Sequence, residues 1–151
     1  MSVDTFIVYM CLQKDGEVAM QTASELAHNK AAAAVGLKAA VRILDKWRAT
    51  GEQGEAILRV SHSTYARARR GDVAEIKLDS DQLTRISYLL NIHAALRMLF
   101  ENPENLYGFV SMANHNPYFN GRTPLDVISS GDFAALYETF KRIDSLRGAQ
   151  W

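Results

Sequence analysis

Cysteine is almost missing from this chain. Cys11 stands alone, which excludes an internal disulfide and a thiolate-rich metal site. Long hydrophobic runs are missing as well: the longest, Phe6 to Leu12, is far too short to cross a bilayer. It has no basic stretch before it and no small-residue cleavage motif after it, so no signal peptide is read. Net charge is zero, with 17 Lys and Arg against 17 Asp and Glu, which argues against a general polyanion binder. There is no histidine pair at helical metal spacing, no phosphate-cradling glycine loop and no serine elbow. The four histidines (His28, His62, His93, His115) are dispersed. His93, on an apolar helical pattern, reads as a hydrogen-bonded core residue and not a ligand. These absences predict a cytoplasmic protein with no enzymatic activity, no cofactor, no metal and no membrane partner.

What is present is enough apolar material for a core, 48% over 151 residues, arranged with helical spacing from Ala31 onward. Three parts are expected. Residues 1–30 form a poorly ordered or extension arm, because the strand-like Val3–Leu12 has no second strand to pair with; Met20 is an alternative start. Residues 31–78 carry three helices: Ala31 to Ala49, Glu52 to Leu58 after a break at Thr50-Gly51, and His62 to Arg70, capped by Ser61 and ended by Gly71. Residues 79–151 begin with a long helix, capped by Asp79 or Ser80, that runs to Phe100. It is apolar over a broad face and belongs at the centre of the fold or at a subunit contact. A short helix opens at Pro103, another spans Pro124 to Ser130, and a last one runs from about Phe133 to Leu146. The fold class is all-α.

Two short helices joined tightly, the second beginning Ser-His-Ser-Thr-Tyr, give the layout of a helix-turn-helix. Between Ile57 and Gly71 there are four arginines (Arg59, Arg67, Arg69, Arg70) and no acid. Ser61, Ser63 and Thr64 stand where hydroxyls and free amides reach phosphates or base edges. Arg67 is expected to point into a groove, and Arg69 and Arg70 to meet phosphate. A unit this small implies a dimer reading two half-sites.

The segment Asn114 to Asp132 is dense in turn and cap signals. Asn116-Pro117 restricts the backbone, and Gly121 can take φ > 0. Thr123-Pro124 reads as N-cap and first helical residue, with Asp126 facing the first-turn amides. Gly131 fits a helix stop and Asp132 the next start.

The order of these parts resembles the Xre/MbcA/ParS-type antitoxins of RES-Xre systems. The resemblance runs from about Lys38 to Trp151. It rests on the helix-turn-helix, on Leu83 to Phe100, and above all on Asn116-Pro117, Gly121-Arg122-Thr123-Pro124-Leu125 and Gly131-Asp132, with the chain closing on Arg147-Gly148-Ala149-Gln150-Trp151. It implies a bacterial type II antitoxin whose partners are a cognate NAD-depleting RES-domain toxin and promoter DNA, within a larger complex containing its homodimer. The tail, Arg147, Gly148, Ala149, Gln150 and Trp151, would enter or cover the toxin's NAD pocket, Trp151 serving as an aromatic anchor. Ser61, Ser63, Thr64 and Arg67 fall on recognition-helix positions. Asn116, Pro117, Gly121, Arg122, Thr123 and Pro124 fall on a signature loop that shapes the toxin-binding domain. The alternative is a stand-alone helix-turn-helix transcriptional regulator with a C-terminal dimerisation domain.

Overall fold

A computed structural model describes residues 30–148. The arm expected over residues 1–30 lies outside them but for Lys30, as do Ala149, Gln150 and Trp151 of the tail. Every regular element among the described residues is helical: α1 (Lys30–Lys46), α2 (Gly51–Leu58), α3 (His62–Arg69), α4 (Ser80–Leu99), α5 (Pro103–Gly108), a 3-10 turn (Phe109–Ser111), α6 (Pro124–Ile128) and α7 (Phe133–Ser145). No described helix is long and apolar enough to cross a membrane.

Local chemistry sets the boundaries. Thr50, expected to break a helix, also starts one: its Oγ1 accepts the Gln53 N–H at 3.2 Å while its own N–H donates to Gln53 Oε1 at 2.9 Å. Asp79 and Gln82 repeat this reciprocal cap at the start of α4. Asn102 caps α5 ahead of Pro103, and Thr123 caps α6 ahead of Pro124. Proline is tolerated at both places because its missing N–H would be orphaned there anyway.

The helix α4 is the axis of the molecule. It packs against α1, α2, α5 and α7, and it buries Leu83, Ile86, Leu89, Leu90, Ile92, Ala95 and Leu96. Its broad apolar pattern therefore reflects a central position inside one chain. From α1 come Leu37, Val41, Ile43 and Leu44, with the fully buried Trp47 just after it; from α7 come Leu136 and Ile143.

One charge lies inside this core. The Arg85 side chain is 8% exposed. Its Nε donates to Asp81 Oδ2 at 3.0 Å, and its Nη1 donates to the Ile57 carbonyl at 3.3 Å and the Gly131 carbonyl at 2.8 Å. The guanidinium also lies 6.0 Å from the centre of the Phe133 ring. It thus joins the end of α2, the start of α4 and the α6–α7 junction. Replacing Arg85 with Ala strands the Ile57 and Gly131 carbonyls, while Asp81 keeps Arg59; leaving such acceptors unpaired costs about 1–3 kcal/mol. Urea unfolding of Arg85→Ala should show that loss; a change under about 1 kcal/mol would remove Arg85 as a staple.

His93 is a core residue, as its helix pattern predicts, but the hydrogen bond expected for it is missing at Nδ1. Its ring stacks on Tyr107 of α5 at 5.8 Å. Burial pushes its pKa down to about 4, with Arg97 and Lys46 acting in the same direction. Between about pH 6.5 and about pH 4 the unfolded chain therefore holds this proton more readily than the folded one. The contribution is complete above the unfolded value and is lost as pH falls through that window, each unit of depression being worth about 1.4 kcal/mol. Urea midpoints measured from about pH 7 down to about pH 4.5 should fall more steeply for the native chain than for His93→Gln. Equal slopes would assign the acid sensitivity elsewhere.

Candidate functional site

The α2–α3 pair is built around a close approach. A Cβ added at Gly54 would meet the Tyr65 ring and hydroxyl at 2.3–2.4 Å, so the bare glycine lets the Tyr65 side chain of α3 lie directly on α2. Tyr65 is 3% exposed, and burial raises its phenol to about 12. It is a packing residue and keeps its proton.

Between the helices, Arg59 adopts the left-handed conformation at φ 55°, its N–H returning to the Glu55 carbonyl. A non-glycine residue there carries a steric cost. Tertiary contacts offset it: the guanidinium bonds Asp79 Oδ2 and Asp81 Oδ2 at 2.5 Å each, and Gln82 Nε2 donates to the Arg59 carbonyl at 2.9 Å. The Arg59 pKa is raised, first by Asp79 and then by Asp81. The Asp79 carboxyl is lowered, first by the Gln82 backbone N–H and also by Arg59. The turn is thereby pinned to the start of α4. The sequence offers Asp79 as a cap for α4; spacings of 20 and 22 residues give no local signal for this clamp.

The residues of α3 then divide. Ser61 is the N-cap, its Oγ accepting the Thr64 N–H at 3.2 Å and lying 3.2 Å from Ser63 Oγ. Thr64 is half-buried against it, and Ser63 is exposed. Arg67 does not stand outward: its Nη2 donates to the Ala74 carbonyl at 2.7 Å and its Nε bonds Asp72 at 3.3 Å. Arg69 pairs with Asp45 of α1 at 3.3 Å. Arg70 is exposed and has no ion pair among the described residues. The window that is free of acid in sequence is therefore supplied with acids by α1, α4 and the segment after α3. A residue that sequence reasoning passed over, His62, stands exposed at the front of α3 with Nδ1 2.7 Å from Glu55 Oε1. Its signal was a seven-residue spacing across a tight turn.

The segment from Asn114 to Pro124 spends its polar groups on itself. Asn114 N–H donates to the Arg122 carbonyl at 3.1 Å and Gly121 N–H to the Asn114 carbonyl at 2.9 Å, closing the loop. Asn116 Oδ1 accepts the Tyr118 N–H at 3.1 Å. Asn120 and Gly121 both have positive φ, 51° and 83°. Arg122 folds back over the turn, donating to the carbonyls of Phe119 and Tyr118 at 2.9 Å each, while Phe119 is 1% exposed. Thr123 and Pro124 start α6, and Pro117 is exposed. Arg142 of α7 covers the Tyr118 ring at 4.9 Å. At the root of the tail, Arg147 pairs with Asp144 and donates to Met98 Sδ at 3.0 Å, and Gly148 is exposed.

Comparison with known proteins bears on the first of these regions. Residues 27–91 match the antitoxin Xre-like helix-turn-helix domain. The matched span takes in α1, α2 and α3 and ends inside α4, so the chain carries an Xre-like helix-turn-helix domain with further helices behind it. The loop and the tail lie beyond the matched span. A protein of Sinorhizobium fredii (strain NBRC 101917 / NGR234), the uncharacterized protein y4oB, is 29% identical over 113 residues, 74% of this chain and 84% of its own length. No solved structure matches. Among the described residues no group of three His, Cys, Asp or Glu could hold a metal ion.

The Xre-like pair makes one clear structural demand. Helix propensity favours Ala over Gly by about 1 kcal/mol, yet Gly54→Ala should destabilise by about 1–3 kcal/mol because the new methyl displaces Tyr65. Thermal or urea unfolding of the variant decides between the two signs.

Proposed function

We propose that this protein is a type II antitoxin that neutralises a RES-domain, NAD-depleting toxin with its C-terminus and represses its own operon through α3. The observation that carries the reading is the antitoxin Xre-like match over residues 27–91, on a helix-turn-helix whose α2–α3 packing is closed at Gly54. The toxin half rests on the resemblance of Asn116 to Asp132 and of the closing residues Arg147 to Trp151. In this reading the loop (Asn116, Pro117, Gly121, Arg122, Thr123, Pro124) shapes the toxin-binding part, and its self-contained hydrogen bonds support that role. The tail supplies the neutralising contact, with Gly148 and Ala149 slim enough for a narrow cleft and Trp151 as the anchor. Ser63 and Arg70 meet DNA directly, and Arg69 does so once it leaves Asp45. Ser61, Thr64 and Arg67 support the helix from within. The partners are the toxin, promoter DNA and a second copy of the chain, in the cytoplasm, with residues 31–78 as the DNA-binding part and 79–151 as the toxin-binding part.

The test is NAD consumption by the RES-type toxin encoded beside this protein, with either the intact chain or one ending at Leu146 added. The intact chain should inhibit, and the shortened one should lose at least about tenfold in inhibitory potency, as expected when a buried aromatic anchor is removed. Equal inhibition by both would move neutralisation to the folded surface. Inhibition by neither would leave a regulator whose C-terminal part dimerises.

A further inference from the structure

We infer that His62, held in place by Glu55, reads a base edge at the front of α3, and that Arg67 is a positioning residue for the chain that follows. The inference deepens the DNA-binding reading and rests on it. Elimination along α3 leads there. Tyr65 and Ala68 are buried, Thr64 lies on the Ser61 cap, and Ala66 has no reach. Arg69 is turned toward Asp45 and Arg67 toward Asp72 and the Ala74 carbonyl. The longer side chains left standing outward are Arg70 at the far end and His62 at the near end.

The two ends differ in what they can do. Arg70 is a flexible cation suited to a phosphate. The His62 side chain is 88% exposed, yet its ring is oriented, because Nδ1 faces the Glu55 carboxylate at 2.7 Å and the Glu55 side chain is only 21% exposed on α2. A carboxylate only accepts, so Nδ1 carries the proton and Nε2, on the opposite side of the ring, is left free. A planar group with one fixed free nitrogen, at the first turn of the helix that enters a major groove, suits a base edge better than a diffuse phosphate. Glu55 contributes in a second way. Lying beside a duplex it repels backbone phosphates, which penalises sequence-independent docking and leaves the specific contact to compensate.

Arg67 does different work. By gripping Asp72 and the Ala74 carbonyl it closes the chain after α3 back onto that helix. Its removal therefore alters how α3 is presented, with no effect on which base it prefers.

The experiment measures fluorescence anisotropy of the full chain with a fragment of its own promoter and with a scrambled fragment of equal length. The native chain, His62→Ala, Glu55→Ala and Arg67→Ala are compared, and circular dichroism confirms that each is folded. The readout is the ratio of the two affinities. For His62→Ala the promoter affinity should fall about tenfold while the scrambled fragment changes less than about twofold. Glu55→Ala should reduce the ratio in the same direction, because the ring is no longer held. Arg67→Ala should weaken both fragments and leave the ratio in place. A His62→Ala chain whose ratio equals the native one overturns the inference, and so does an Arg67→Ala chain that alone loses the preference. A native chain with no preference for its promoter removes the DNA-binding reading and this inference with it, an outcome distinct from a native preference that survives His62→Ala.

Discussion

A guanidinium without water around it must have its charge answered and its donors used, and the fold is arranged so that Arg85 meets that condition. Its partners come from three places in the chain: the Ile57 carbonyl near the end of α2, Asp81 in the first turn of α4, and the Gly131 carbonyl between α6 and α7. For the last of these to come close, the α6–α7 junction must lie against α2. There Gly131 has φ 78°, and a Cβ would stand 3.2 Å from the Ala56 carbonyl oxygen. Asp81 is shared with Arg59, whose left-handed turn sets the relation of α2 to α3. One carboxylate and one buried cation thus connect the turn of the helix-turn-helix to the α6–α7 junction. The core does not divide where α4 begins, since α4 and Arg85 join elements from both sides of that point.

The electrostatics of α3 follow from the same economy of charge. Four arginines in an acid-free stretch look like an open basic patch. In the folded chain Arg59 is bound by Asp79 and Asp81, Arg67 by Asp72, and Arg69 by Asp45. Exposed pairs of this kind contribute little to stability, with a median near 0–1 kcal/mol. A surface whose cations are already answered gains less from any polyanion and depends more on the few contacts that fit.

Local signals made much of the fold legible. Ser61, Thr123-Pro124, Asp132 and Gly131 are cap and stop residues whose chemistry acts within a turn of their own position, and each occupies the place its type predicts. Thr50-Gly51 was legible only by half: a residue that interrupts one helix and caps the next carries the same signature for both. What sequence could not supply is the pairing of distant charges. Nothing near Arg85 distinguishes it from a surface arginine at the i+4 position from Asp81, although it is the most consequential polar group in the core. Arg67 was expected to face outward because its spacing allowed it, and the acceptors at Asp72 and Ala74 come from irregular chain with no period to read.

The loop between Asn114 and Pro124 shows how a conspicuous sequence can serve a structural end. Its carbonyls would otherwise be left unpaired in a tight turn; Arg122 covers two of them, Asn116 fixes the turn entry, and Phe119 is buried edge-on to Tyr118, whose ring Arg142 covers. An arginine committed to backbone carbonyls has few donors left for a partner. Among the described residues, the large apolar side chains left exposed are Met98, Met112 and Leu146, at 68%, 64% and 37% exposure. Two of them stand at the root of the tail, where Arg147 is tied to Met98 and Asp144. A partner that takes the closing residues would meet these two side chains next, Leu146 at the end of α7 and Met98 on α4, the helix that also carries Asp81 and Arg85. If such a partner also altered DNA affinity, linkage would require DNA to alter that partner's affinity by the same factor, and α4 is the element through which both would act.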